Sequence, residues 1–68
     1  MKVNEIWKDD NTGAKCKIIQ VEKDLEGKII NIKIQSIRNA SLIWDVSYWE
    51  LKNNYTLIDS LHNARLRG

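Results

Sequence analysis

Residues 28–38 read KIINIKIQSIR, and isoleucine alternates with polar residues through most of this segment. Side chains along an extended chain point alternately to opposite faces, so Ile30, Ile32 and Ile34 share one face and polar residues occupy the other. This alternation is typical of a β-strand that packs one face on a core and exposes the other to water. The segment therefore predicts the central strand of an all-β protein.

A second strand precedes this one, and a polar turn over residues 24–27 joins the two. The turn ends in glycine, which takes a positive φ angle most readily. Pairing outward from the turn sets Val21 opposite Ile30, but further along it would place a lysine in the core row. An extra residue at Ile18–Ile19 restores the pattern and sets Ile18 opposite Ile34. We therefore expect a β-bulge there, which bends the strand and lets the sheet curl.

A third strand is indicated by residues 42–47, where Leu42, Trp44 and Val46 alternate with other side chains. We expect these three side chains to lie on the core face, because they share one parity along the strand. Pairing with the preceding strand sets Trp44 opposite Ile34. Apolar contact across that pair would then fix the register.

The remaining segments are short. Ser47 is followed three residues later by Glu50, the spacing of a capping box, so residues 47–54 predict a single helical or 3-10 turn. Residues 55–58 predict a closing strand, and residues 2–8 supply a first strand. The chain therefore alternates strands and turns, with one helical interruption before the last strand.

This order predicts a small five-stranded SH3-like barrel with one helical turn before the last strand and a short C-terminal tail. We expect residues 1–59 to form the SH3-like β-barrel domain and residues 60–68 to be a flexible or weakly helical tail. Closure of the sheet would protect the edges of its short strands. An OB-like barrel is the alternative, and it is disfavoured because the chain has no room for a helix between the third and fourth strands.

Composition limits the functions that such a chain can carry. Its 68 residues allow one domain with one small core. Residues 1–60 hold nine basic and nine acidic residues, so Arg65 and Arg67 supply the whole net charge of +2. A body near neutrality lacks the concentrated basic field on which non-specific nucleic-acid binding relies.

Cysteine usage and hydropathy indicate where the protein resides. The single cysteine, Cys16, excludes an intramolecular disulfide and fits a reducing cytoplasm better than secretion. No apolar run approaches the roughly 20 residues that a membrane helix needs. We therefore expect a cytoplasmic protein that makes no use of a membrane.

Residues 13–33 resemble a KOW- or Tudor-type element, with a glycine, an apolar strand, a glycine turn and an isoleucine-rich strand. The ending, with Trp49 and Tyr55 followed by Leu57 and Ile58, resembles small SH3-like proteins of bacteriophages and mobile elements. The resemblance implies the barrel fold and an accessory, non-enzymatic role. The chain lacks the ALYDY-like segment and proline-binding groove of a true SH3 domain, and it lacks the basic body of many KOW domains, so those functions do not follow.

The residues that catalysis or metal binding requires are sparse. Cys16 is expected on the core face and the single histidine, His62, lies in the tail, so we expect a buried thiol and no Cys–His pair. One cysteine and one histidine cannot form a structural zinc site. Residues 9–13 superficially resemble a calcium loop but lack its ligand spacing and terminal glutamate, so a solvated turn is expected. We predict a protein that is not an enzyme and uses no metal or cofactor.

The aromatic residues are candidates both for the core and for binding. Trp44 and Tyr55 could form a cage for a methylated ammonium group, but the chain has no phenylalanine, so we expect both to supply core bulk. Tyr48 and Trp49 are neighbours on the predicted turn, and both can hardly point inward. We expect at least one of them to be exposed, and exposed tyrosine or tryptophan is a common interface anchor.

Charged residues cluster on the predicted hairpin. An acidic patch could compete for a basic nucleic-acid-binding surface of another protein, although a turn kept soluble is the simpler interpretation and the one we favour. The members of the patch are Glu22, Asp24 and Glu26, with Asp9 and Asp10 in the other loop. A basic row on the outer face of the same hairpin could touch phosphates, although it also discourages strand edges from pairing. The row contains Lys15, Lys17, Lys28 and Lys33.

Three functions follow from these patterns. We expect a protein-binding module, a phage or mobile-element accessory factor that docks on a host or phage protein and could inhibit it, through Tyr48, Trp49, Glu50, Asp9 and Asp10. The first alternative is a nucleic-acid-binding barrel of KOW type, whose contacts would be Lys15, Lys17, Lys28, Lys33, Arg65 and Arg67. The second alternative is an oligomeric structural component built through short edge strands.

Overall fold

A computed structural model of the protein describes residues 1–59. Its elements are β1 (Ile6–Asp9), β2 (Lys15–Lys23), β3 (Ile29–Ser36), β4 (Ile43–Val46), α1 (Tyr48–Asn54) and β5 (Tyr55–Asp59). The five strands form one antiparallel sheet in the order β4-β3-β2-β1-β5. The predicted all-β, barrel-like fold with a helical turn before the last strand is confirmed. The prediction of a weakly ordered tail over residues 60–68 lies outside the described residues.

The β2–β3 hairpin has the predicted bulge and a second one that the sequence pattern did not indicate. Ile18 lies opposite Ile34, and the register shifts between Ile18 and Gln20 as expected. A further shift between Glu22 and Lys23 sets Val21 opposite Ile32. The predicted pairing of Val21 with Ile30 is therefore wrong. The second bulge turns Ile30 outward, where 57% of its surface is exposed, whereas Ile29 packs against the core.

The core lies between the concave face of the sheet and α1. Four side chains are completely buried, namely Ile18, Ile32, Ile34 and Leu51. Leu51 comes from the helix, which contacts β3 and β5 and so covers one end of the sheet. The other core side chains, Trp7, Cys16 and Val46, line the same face.

The exposure of the core-facing side chains rises from Val46, at the end of β4, back to Leu42, just before the strand begins. Val46 is 4% exposed, Trp44 is 39% exposed and Leu42 is 54% exposed, although all three have core-facing parity. The register with β3 is as predicted, with Trp44 opposite Ile34. The prediction that Trp44 is a core residue is wrong, because β4 is an edge strand and parity does not ensure that another element covers a residue. Tyr55, the other aromatic residue predicted to supply core bulk, is half-buried and packs against the core.

The helix within residues 1–59 is too short to span a membrane. Its beginning is set by Ser47, whose hydroxyl accepts a hydrogen bond from the Glu50 backbone N–H at 3.0 Å. The Glu50 carboxylate accepts one from the Ser47 N–H at 3.2 Å. This reciprocal pair is the predicted capping box, and it satisfies two backbone donors that would otherwise lack partners.

Candidate functional site

The orientation of α1 follows from one buried side chain. Leu51 is fully buried, so it fixes the face of the helix that meets the core. Trp49 lies two residues earlier, about 200° around the helix axis, and therefore points away from the core. Its indole is 68% exposed. The expectation that at least one of the two neighbouring aromatic residues is exposed is confirmed.

Tyr48 is half-buried and holds the indole in place. The rings of Tyr48 and Trp49 meet edge to face, with centroids 5.6 Å apart and an interplanar angle of 84°. Lys52, one turn later, places Nζ 5.4 Å from the centroid of the Tyr48 ring, within the range of a cation–π contact. These contacts hold the exposed aromatic pair in a fixed arrangement on the surface.

The aromatic pair and the turn end of the β2–β3 hairpin line one open groove of about 520 Å³. The groove is lined by Gly27, Lys28, Ile29, Ile30, Ser47, Tyr48 and Trp49. We call it the aromatic groove. Ile30 reaches it because the second bulge of the hairpin turns that side chain out of the core. Lys28 is the one charged residue in the lining, so the groove is apolar with a basic edge.

Glu50, Asp9 and Asp10, which were predicted to share this surface, have other positions. The Glu50 carboxylate accepts the Ser47 N–H in the capping box. Asp9 Oδ1 accepts the Asn11 backbone N–H at 2.8 Å and so closes the loop before β2. None of the three lines the aromatic groove, and the structure therefore does not bring the predicted contact set together.

Asp10 is fixed near the opposite end of the helix. Its carboxylate accepts the Thr56 hydroxyl at 2.6 Å, and its backbone N–H donates to the Asn54 carbonyl at 2.9 Å. Asn54 ends α1, whereas the aromatic pair lies at its beginning, about 9 Å away along the axis. The side chains of Glu50, Asp9 and Asp10 therefore stabilise local turns of the backbone.

The acidic residues of the β2–β3 turn also make local contacts. Asp24 Oδ1 accepts the backbone N–H groups of Glu26 and Lys28, each at 2.9 Å. The Glu22 carboxylate accepts the Asn31 side-chain amide at 3.3 Å. These bonds match the simpler interpretation of the patch, a turn whose carboxylates order its own backbone.

The predicted basic row is divided between two surfaces. Lys15, Lys17 and Lys33 lie on strands of the convex face, whereas Lys28 lines the aromatic groove. Lys8, which the sequence interpretation missed, is the direct cross-strand partner of Lys15. The sequence signal for Lys8 was its position next to the core residue Trp7, because adjacent residues of a strand point to opposite faces and Lys8 therefore lies on the outer face. The predicted contacts Arg65 and Arg67 lie outside the described residues.

Cys16 is not in the environment of a reactive thiol. Cys16 is 2% exposed, and its Sγ donates to the Trp7 carbonyl at 3.5 Å. Burial, together with the nearby Asp9 carboxylate, raises the pKa of the Cys16 thiol to about 11. A thiol that stays protonated at neutral pH is a poor nucleophile and a poor metal ligand. His62, its only conceivable imidazole partner, lies outside the described residues.

Metal-ligating side chains do not converge within residues 1–59, where no group of three or more histidine, cysteine, aspartate or glutamate residues could hold an ion. In the calcium-like segment 9–13, the Asp9 carboxylate is engaged by backbone N–H groups of its own loop. Gly13 closes that loop with a φ angle of +76°. The expected solvated turn is therefore what the segment forms.

Comparison with known proteins returns no relative. No protein-family model matches the chain, and neither a curated protein nor a solved structure matches it. The resemblance to KOW- or Tudor-type elements and to small phage-encoded barrels therefore stays a prediction. Function has to be argued from the surfaces of the molecule.

Proposed function

We propose that the protein is a non-enzymatic binding module that docks on another protein through the aromatic groove. The observation that carries this proposal is the exposed Trp49, which lines the same groove as the outward-turned Ile30. Large apolar side chains gathered on the surface of a small protein are typical of an interaction site. Tryptophan is also among the residues that contribute most to binding energy at interfaces.

The groove is preorganised for binding. The capping box sets where α1 begins, and buried Leu51 sets its rotation, so the indole does not need to be ordered when a partner arrives. Preorganisation lowers the entropic cost of association. The partner segment would insert an apolar or aromatic side chain between Trp49 and Ile30.

The charge of the groove specifies the partner further. Lys28 lines the groove, and Lys52 lies against the Tyr48 ring at its margin. The complementary segment therefore carries carboxylates beside its apolar anchor. That the partner is a host protein, and that docking inhibits it, is an extension of this proposal supported by the resemblance to phage accessory proteins.

The test compares two exposed apolar residues. The full chain, immobilised by a tag, first captures its partner from nuclease-treated lysate of the source cell, and the partner is then purified. Titration calorimetry compares Trp49→Ala with Leu25→Ala, whose side chain is fully exposed on the hairpin turn outside the groove. We expect Trp49→Ala to weaken binding at least tenfold and Leu25→Ala to leave it unchanged. Equal affinities of the two variants would overturn the proposal.

A nucleic-acid function is the second candidate, and one observation favours it. Lys8 and Lys15 lie directly opposite each other on the convex face, with Lys17 next along β2. Like charges opposite each other destabilise a sheet, and an anionic ligand would relieve that repulsion. Binding of a fluorescent single-stranded DNA should then weaken steeply between about 50 and 200 mM salt and decrease in Lys15→Gln. No binding at low salt would eliminate this candidate.

A further inference from the structure

The edge strand β4 has an unpaired backbone side. The Ser36 N–H donates to the Leu42 carbonyl at 2.9 Å, which marks residues 36 and 42 as a hydrogen-bonded pair of the antiparallel ladder. Such pairs recur at every second residue, so Trp44 and Val46 also bond toward β3. The N–H and C=O groups of Ile43 and Asp45 therefore point to the open edge, and no other backbone group within residues 1–59 pairs with them.

This edge is apolar on both faces. Leu42 and Trp44 are 54% and 39% exposed on the concave side, and Ile43 is 48% exposed on the convex side. Soluble proteins normally protect such an edge with lysine, proline or a covering loop. Asp45 is the one charged residue of β4, and its carboxylate accepts the Asn31 side-chain amide at 3.1 Å. Within residues 1–59, the edge therefore has neither a lysine, a proline nor a covering loop that would prevent strand addition.

We infer that β4 pairs antiparallel with β4 of a second copy of this chain, about a two-fold axis that passes beside Trp44. In this register the two Trp44 side chains face each other as a non-hydrogen-bonded pair. Ile43 of each copy exchanges backbone hydrogen bonds with residue 45 of the other. The aspartates are thus kept off the axis and do not oppose each other.

The net charge permits a second copy as the occupant, and the exposed area limits how strongly it can bind. Residues 1–59 contain nine basic and nine acidic residues, so two folded bodies do not repel each other through net charge. The exposed parts of Leu42, Ile43 and Trp44 amount to about 250–300 Å² per copy, if a large side chain presents roughly 150–200 Å² when fully exposed. Stable interfaces bury about 800 Å² per partner, so the dimer is weak and reversible.

The symmetry axis is tested by disulfide trapping. Single cysteines replace Ile43, Trp44 or Asp45 in a Cys16→Ala background, and the folded full-length chains are oxidised at high concentration. Directly opposed Cα atoms would lie about 4.5 Å apart, within the range that a disulfide spans. We expect Trp44→Cys to cross-link at least tenfold faster than Asp45→Cys. Faster cross-linking of Ile43→Cys or Asp45→Cys would overturn the inferred register.

Sedimentation equilibrium tests the association itself. The unmodified chain should show a monomer–dimer equilibrium with a Kd between about 10 µM and 1 mM, and Ile43→Lys should be monomeric throughout. Leu57→Lys, at a position of the opposite edge strand β5 that is 44% exposed, should dimerise like the unmodified chain. A strictly monomeric unmodified chain, or a dimer lost in Leu57→Lys and kept in Ile43→Lys, would contradict the inference. Because Ile43 lies outside the aromatic groove, these outcomes are independent of partner binding.

Discussion

The two sides of α1 carry large apolar side chains that differ in burial. Leu51 is completely buried and closes the core, whereas Trp49, two residues earlier, is 68% exposed beside the aromatic groove. Burial makes an apolar side chain contribute to folding, and exposure leaves its transfer free energy available for binding. One short helix therefore carries a core side chain on one side and the proposed recognition side chain on the other. The following substitutions test that separation.

Leu51→Ala should produce the largest effect. Truncation of a fully buried leucine removes its transfer free energy and leaves a cavity, so the free energy of unfolding should fall by about 2–5 kcal/mol. For a chain of 68 residues that loss approaches the entire stability. Urea denaturation followed by circular dichroism measures it. A loss below about 1 kcal/mol would show that α1 is not part of the core.

Trp49→Ala should have the contrasting result. The indole packs on Tyr48 and little else, so the free energy of unfolding should change by less than about 0.5 kcal/mol. Affinity for the partner should fall by on the order of 2 kcal/mol, about 30-fold. The same denaturation assay and calorimetry measure the two quantities. A stability loss comparable to that of Leu51→Ala would show that Trp49 is part of the core.

Ser47→Ala should have an intermediate effect on both properties. The substitution removes the hydroxyl that accepts the Glu50 N–H, and a lost N-cap costs about 1 kcal/mol of stability. Loosening the first turn of α1 should also weaken partner binding severalfold, because Tyr48 and Trp49 follow directly. Ser47→Asp is the matched control for stability, since aspartate also caps helices, and it should restore the free energy of unfolding. If Ser47→Asp were as unstable as Ser47→Ala, the loss of stability could not be attributed to the capping box.

Because the Cys16 thiol has a raised pKa, we predict a small loss of stability as the pH rises into the alkaline range. Burial raises its pKa to about 11, whereas the unfolded chain has the ordinary value near 9. A group with a raised pKa in the folded state stabilises the protein fully below the unfolded pKa, and this contribution is lost as pH rises toward 11. Tyr55, whose pKa burial also raises, adds a loss of the same sign.

The measurement compares the free energy of unfolding of the unmodified chain and of Cys16→Ala between pH 8 and pH 11. We expect the free energy of unfolding to fall more over this range for the unmodified chain than for the variant, because the variant has no thiol to ionise. Parallel pH profiles would contradict the raised pKa.

The sequence predicted those features that depend on local patterns. The capping box at Ser47 and Glu50 followed from residue type and spacing, and the bulge at Ile18–Ile19 followed from keeping a lysine out of the core row. Both are decided by a few neighbouring residues. The same local reasoning indicated that Tyr48 and Trp49 could not both point inward.

The errors share a different cause. Ile30 and Trp44 have the same parity as buried residues, and both were predicted to lie in the core, yet they are 57% and 39% exposed. Parity gives the face of a strand but not whether another element covers it. The second bulge and the edge position of β4 are not decided by the local pattern, so neither the Ile30 side of the aromatic groove nor the exposure of Trp44 could be predicted from the sequence.

The indole resonances of the three tryptophans provide the most direct test of the central claim. Trp7 is buried and donates to Glu5, Trp44 lies on the β4 edge, and Trp49 lines the aromatic groove. A ¹⁵N-labelled chain, kept dilute, is titrated with the purified partner while the three indole N–H signals are recorded. We expect the chemical shift of the Trp49 signal to change in proportion to the fraction of chain bound by the partner, and that of the Trp7 signal to stay the same. An unmoved Trp49 signal with a shifted Trp44 signal would contradict this expectation, because docking would then use the sheet edge.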